Sequence, residues 1–299
     1  MAYGEGMSLR FVPCLCLFAG LLSACSGDDA EPVSDAGLSI DLGAFDAGAD
    51  AGSFDLGSQD LGTDAGPLDL GAADAGPACV TGSRVVSFDT SDGVTLQADL
   101  HVVAAGSPLV ALFHMIPPAN DRSNYSSAVV DAFLAQGISV LNVDRRGAGG
   151  SGGTAQDAYL GASTHLDVVA AVSFAQAEAC GFGALGLVGA SNGTTSVLDY
   201  FARATEPPAP VAAVFLTPGS YTEAQHQVSA VASSLPPTLV TWTPSEIPAA
   251  TWAAGVRNIA PSSWVFRDYT PGGHGTRLLD ANPTAIAETA AWMATALGL

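Results

Sequence analysis

Short apolar runs alternate with amphipathic stretches in this chain, and the alternation begins only at Arg84. Strands are predicted over 84–89 and 95–103, where apolar and polar positions alternate on either side of a Ser91-Asp92-Gly93 turn. Six more strongly apolar runs follow, at 109–113, 138–143, 185–189, 211–216, 238–242 and 264–268. Between them apolar positions recur at helical spacing over 125–136, 163–179, 192–204, 222–232, 249–258 and 283–297. Strands without polar alternation belong to a sheet covered on both faces. The expected class is therefore α/β: a mostly parallel eight-stranded sheet, opened by an antiparallel pair, with helices on both sides. In such a sheet the chemistry gathers beyond the carboxyl ends of the strands. The stretch between the sixth and seventh strands holds about one helix, which leaves no room for a cap domain.

The residues before position 84 carry a different pattern. Arg10 precedes an apolar run over 11–22, too short to cross a bilayer as a helix. The run ends in Leu22-Ser23-Ala24-Cys25, an aliphatic residue, two small ones and a thiol, which resembles the bacterial lipobox. That resemblance implies a signal peptide over 1–24 and lipid attachment at Cys25. Ser26 follows the cysteine where an aspartate would mark inner-membrane retention, so the expected destination is the outer membrane. An ordinary signal peptide with an incidental cysteine is the alternative.

Charge separates the next segment from the rest. The chain has 9 Lys+Arg, all of them arginine, against 29 Asp+Glu, a formal net charge of −20. Twelve of the acids and no base lie between Cys25 and Cys79, where Asp-(Ala/Leu)-Gly occurs nine times from Asp35 to Asp74. Glycine, like-charge repulsion and scarce apolar surface predict a disordered linker over 25–78. Its root-mean-square span would be roughly 40 Å. Weak calcium binding by the spaced carboxylates is the sharper reading, but the repeat lacks the full ligand pattern of a calcium loop. The charge and the absence of a basic run exclude nucleic acid as a default partner. With the leader removed and Cys25 lipidated, Cys79 and Cys180 remain, and an oxidising compartment favours one disulfide between them. Nothing in the spacing of His, Cys and Asp suggests a metal or other cofactor.

The candidate chemistry lies in the third segment, 79–299. After the run 185–189 comes Gly189-Ala190-Ser191-Asn192-Gly193 and then a helical stretch. Small residues on both sides let a strand turn sharply into a helix, with a serine standing clear above the sheet. Ser191 is the candidate nucleophile, and a serine hydroxyl needs a base. Of the five histidines, His101 falls in a strand and His165 and His226 in helices, positions of packing or surface residues. His274 follows the last strand in Pro271-Gly272-Gly273-His274-Gly275 and is the candidate base. For the acid that orients it, Glu246 is favoured as the one acid in the loop after the seventh strand; Asp268 and Glu223 stay open.

These motifs make residues 84–299 resemble the α/β-hydrolase superfamily, in its serine-nucleophile branch near dienelactone-hydrolase-like proteins. The resemblance rests on Leu112-Phe113-His114-Met115-Ile116-Pro117, on Asp144-Arg145-Arg146-Gly147-Ala148-Gly149-Gly150-Ser151 and on the serine turn. Leu216-Thr217-Pro218-Gly219 and Gly273-His274-Gly275-Thr276 complete it. It implies a carboxylic ester hydrolase working through an acyl-enzyme, with an oxyanion hole formed by the backbone N–H groups of Ile116 and Asn192. Met115 stands where the family has glycine, and His114 is expected to brace the loop. Asp144, Arg145 and Arg146 read as a structural turn. The expected partners are a small-molecule or polymer ester and, through the N-terminal lipid, a membrane; the expected state is a monomer. Two other readings remain: a catalytically inactive surface-binding lipoprotein, and an amidase or perhydrolase on the same triad.

Overall fold

A computed structural model of the chain describes residues 78–160, 162–203, 210–221 and 235–299. The leader, Cys25, the acidic repeat, Glu223, His226 and the predicted helix over 222–232 lie outside the described residues. Eight strands form one sheet: β1 (Gly82–Asp89), β2 (Thr95–Val102), β3 (Leu109–Phe113), β4 (Ser139–Asp144), β5 (Leu185–Ala190), β6 (Ala212–Leu216), β7 (Thr238–Trp242) and β8 (Val265–Asp268). Their order is β1-β2-β4-β3-β5-β6-β7-β8. β2 pairs antiparallel with β1 and β4, and every other neighbour is parallel. β3, β4, β6 and β7 are buried at every position, whereas β1 alternates between exposed and half-buried, as an edge strand should.

The alternation of side chains along the strands divides the core in two. Leu109, Ala111 and Phe113 of β3, Leu187 of β5 and Phe215 of β6 pack with α3 (Thr164–Ala177), α4 (Asn192–Arg203) and α5 (Ile247–Arg257). Val110, Leu112, Val188 and Val214, on the other face, pack with α1 (Ser127–Ala135), α6 (Arg277–Ala281) and α7 (Pro283–Ala296). Helices cover both faces, and no cap domain stands over the sheet among the described residues.

The differences from the sequence reading are local. α2 (Ala155–Leu160) and α6 are helices that no periodicity announced. α1 starts two residues late because Tyr125 is drawn into the core, its hydroxyl donating to the Phe113 carbonyl at 3.1 Å. The helix predicted over 163–179 stops at Ala177, where Glu178 turns to an extended conformation and meets Arg84 at 2.9 Å. Cys180 follows and is bonded to Cys79. β3 and β5 are neighbours although β4 lies between them in sequence, so the strand order reverses there. That reversal is where an open α/β sheet parts its loops to form a crevice.

Candidate active site

β5 ends at Ala190 and α4 begins at Asn192, so one residue makes the turn. Ser191 does so at φ 51°, a left-handed conformation uncommon outside glycine. The close approach of strand and helix needs glycine on both sides. A Cβ at Gly189 would stand 2.7 Å from the Gly193 carbonyl oxygen, and one at Gly193 would overlap the carbonyl oxygens of Phe113 and His114. The Ser191 N–H donates to the Leu216 carbonyl at 2.9 Å, and its own carbonyl accepts from the N–H and the hydroxyl of Thr194. These bonds hold the strained turn from both ends.

Ser191 Oγ lies 2.6 Å from His274 Nε2, and His274 Nδ1 lies 2.8 Å from Glu246 Oε2. A carboxylate only accepts, so the Nδ1 proton points at Glu246 and Nε2 is left to accept the serine proton. Glu246 is placed by its N–H, which donates to the Thr243 carbonyl at 3.0 Å, and by α5, which starts at the next residue. His274 sits on the loop after β8, where Gly272 packs against Thr243 and Gly275 against Met115. The loops after β3, β5, β6, β7 and β8 thus meet at the carboxyl end of the sheet. Asp268 is exposed at the end of β8, paired in register with Trp242, while His274 Nδ1 is taken by Glu246.

The loop after β3 is braced as expected. Burial, with the Arg145 charge adding to it, pushes the His114 imidazole down to about 3, so the ring is neutral. Its Nδ1–H donates to the Met115 carbonyl at 2.8 Å and its Nε2 accepts the Arg145 N–H at 2.9 Å. The Arg145 guanidinium, wholly buried, donates to the carbonyls of His114, Met115 and Ala158 and to Ser196 Oγ. Arg146 is held by Asp167 at 2.7 Å and by Asp92 at 2.8 Å. Both arginines are spent on the fold. The Ile116 carbonyl accepts from Asn120 at 2.8 Å. No acceptor among the described residues takes the N–H of Ile116 or of Asn192, the condition an oxyanion site requires.

Two residues near His274 were given no role by the sequence, although Thr217 lies in one of the motifs of the resemblance. Thr217, directly after β6, has φ 46°, and Tyr221 places its ring edge-on to the His274 imidazole. The Thr217-Pro218-Gly219 turn at a strand's carboxyl end was the one available signal. A cavity of about 610 Å³ lies elsewhere, between β2, β4 and α1, and is lined by Asp99, Arg122 and Asn142 rather than by Ser191, His274 or Glu246. The hydrogen-bonded line Ser191–His274–Glu246 marks the candidate reactive centre more directly than cavity size. Among the described residues no group of His, Cys, Asp and Glu has the arrangement of a metal site.

The family described as serine aminopeptidase, S33, matches residues 108–287, from the start of β3 into α7. Among solved structures, an α/β serine hydrolase without lid from Xanthomonas campestris superposes with a TM-score of 0.57 at 19% identity, over 73% of this chain and 97% of that one. An esterase of Pyrococcus furiosus gives 0.56 at 16% identity, over 74% and 96% of the two chains. A dienelactone hydrolase of Anabaena variabilis gives 0.53 at 16%, over 71% and 95%. At these identities the likeness is one of fold. No curated sequence matches the chain.

Proposed function

Since the chain belongs to the serine aminopeptidase S33 family of α/β hydrolases, a family of serine hydrolases, we propose that it hydrolyses carboxylic esters through an acyl-enzyme on Ser191. Ser191 Oγ attacks the ester carbonyl carbon while its proton passes to His274 Nε2. Glu246 holds the imidazole in the accepting tautomer and stabilises the imidazolium. The N–H groups of Ile116 and Asn192 receive the oxyanion. His274 then gives the proton to the departing alkoxide, which leaves as alcohol. Water, deprotonated by the same imidazole, attacks the acyl-enzyme and releases the carboxylic acid with Ser191 restored.

The observation that carries this reading is the line from a left-handed Ser191 through His274 to Glu246, at 2.6 and 2.8 Å. The lack of a cap among the described residues favours bulky or surface-presented esters. We also propose that Cys25 carries a lipid and that the acidic repeat tethers the enzyme to the outer membrane. Cys25→Ser should move the protein out of the membrane fraction, and unchanged fractionation would contradict the anchor.

The family's description favours a second reading, cleavage of aminoacyl amides. Full-length protein and its Ser191→Ala variant, assayed on p-nitrophenyl esters and on aminoacyl p-nitroanilides, separate the possibilities. Ester turnover lost in the variant supports the proposal. Faster anilide turnover moves the function to amide cleavage, and a folded wild type inert on both leaves a binding lipoprotein.

A further inference from the structure

Among the described residues only two non-glycines occupy the left-handed region, Ser191 and Thr217, at the ends of the neighbouring strands β5 and β6. For a β-branched residue that conformation is an outlier and needs support from its surroundings. Thr217 is wholly buried, and its N–H donates to the Thr241 carbonyl on β7 at 2.7 Å. The turn aims two groups at the histidine loop. Thr217 Oγ1 accepts the N–H of Gly275, the residue after His274, at 2.6 Å. The Thr217 carbonyl accepts the Tyr221 hydroxyl at 2.7 Å, which sets the Tyr221 ring at 85° to the His274 imidazole with centroids 5.9 Å apart. Gly219 makes room for that ring: a Cβ there would lie 2.7 Å from Tyr221 Cζ.

The histidine loop needs such an anchor. His274 is flanked by Gly272, Gly273 and Gly275, which leave its backbone with wide conformational freedom. Its side chain is a third exposed, and the Glu246 carboxylate fixes only one ring nitrogen. Proton transfer from Ser191 tolerates little displacement: a shift of about 1 Å costs roughly 100-fold in rate.

We propose that Thr217 and Tyr221 form a clamp that positions the His274 imidazole between Ser191 and Glu246. The proposal rests on the catalytic reading above and goes beyond it in assigning both residues to the reaction. Burial pushes the Tyr221 phenol up to about 12, so it keeps its proton and stays a donor to the Thr217 carbonyl. The clamp therefore acts on the base, through its loop and its ring, and its effect falls on turnover rather than on substrate affinity.

The test uses full-length protein with Thr217→Val, Thr217→Ser and Tyr221→Phe. Valine keeps the shape and removes Oγ1, serine keeps Oγ1, and phenylalanine keeps the ring and removes the hydroxyl. The expected result is a 10- to 100-fold fall in kcat with unchanged KM for Thr217→Val and Tyr221→Phe, and recovery to near wild type in Thr217→Ser. Proton NMR gives a readout that does not depend on turnover. The downfield Nδ1–H resonance of His274 should be present in wild type and Thr217→Ser and broadened away in Thr217→Val. That NMR pattern in a protein that hydrolyses nothing supports the clamp while the hydrolase reading fails. Wild-type kcat together with an unchanged resonance in Thr217→Val and Tyr221→Phe overturns the clamp and leaves the hydrolase reading intact.

Discussion

The two edges of the sheet differ in which residues they place in left-handed backbone. At the amino edge, ahead of β3, β4 and β5, the positive-φ positions are Gly106, Gly137 and Gly181, and a Cβ at any of them would meet open space. Glycine is there for conformation alone. That edge is closed by the Cys79–Cys180 disulfide and the Arg84–Glu178 bridge at 2.9 Å. At the carboxyl edge glycines take left-handed φ as well, at Gly147, Gly149, Gly153 and Gly275, but two further left-handed positions fall to Ser191 and Thr217, and glycine is kept where neighbours press in, at Gly189, Gly193 and Gly275. The strain sits where polar atoms must be aimed, and the sheet behind supplies the rigidity that holds it. Departures from local preference concentrate at the site rather than spreading through the fold.

Several substitutions sharpen or break this contrast. The largest effect belongs to the carboxyl edge and to activity: Glu246→Gln should lower kcat by about 10⁴-fold, through loss of the correct His274 tautomer, with little change in folding. Steady-state kinetics beside a thermal melt checks both halves. The reverse pattern is expected at the amino edge. Replacing Cys79 and Cys180 by serine frees a loop 101 residues long and should cost about 2–4 kcal/mol of stability, read by urea denaturation, with kcat kept.

A smaller pair compares glycines directly. Gly193→Ala forces a methyl group into two carbonyl oxygens and should destabilise by about 1–3 kcal/mol with loss of activity. Gly181→Ala has only its left-handed φ to contend with and should cost about 1–2 kcal/mol, with activity intact. Equal activities in the two variants would erase the distinction between the edges.

The last effect concerns pH. His114 is held neutral by burial, its folded pKa of about 3 lying below the ordinary 6.5. Between those values the unfolded chain binds a proton that the folded protein does not, so stability rises with pH. His114 therefore contributes fully above about pH 6.5, and its contribution is lost as pH falls toward 3. Denaturation midpoints across that window should slope less in His114→Gln than in wild type.

Much of this was legible in the sequence because the physics was local. β3 and β6 are uninterrupted apolar runs that only a doubly covered sheet can use, β7 interrupts its own only with threonine, and the boundaries of all three come within a residue of the pattern. Ser191 announced itself through glycines that the turn sterically requires. Glu246 was the one acid in its loop, and the loop delivers it to His274. α2 and α6 were hidden because six and five residues span less than two helical turns, too few for a period to show. The substitution of Met115 for glycine has a spatial answer that no linear pattern holds. A Cβ at Gly275 would overlap the Met115 sulfur, so bulk on the β3 loop is matched by its absence on the histidine loop. The part of Thr217, though its motif was legible, and that of Tyr221 were hidden for a like reason: they consist of a backbone angle and a ring contact.

The central claim is that the line from Glu246 through His274 makes Ser191 a nucleophile. Its most direct test is reaction of the full-length protein with a fluorophosphonate, followed by mass mapping of the adduct, in wild type, Ser191→Ala and His274→Ala. The account predicts one adduct on the peptide that contains Ser191, formed by wild type and by neither variant. A folded wild type that stays unmodified, or an adduct that persists in Ser191→Ala, would contradict it.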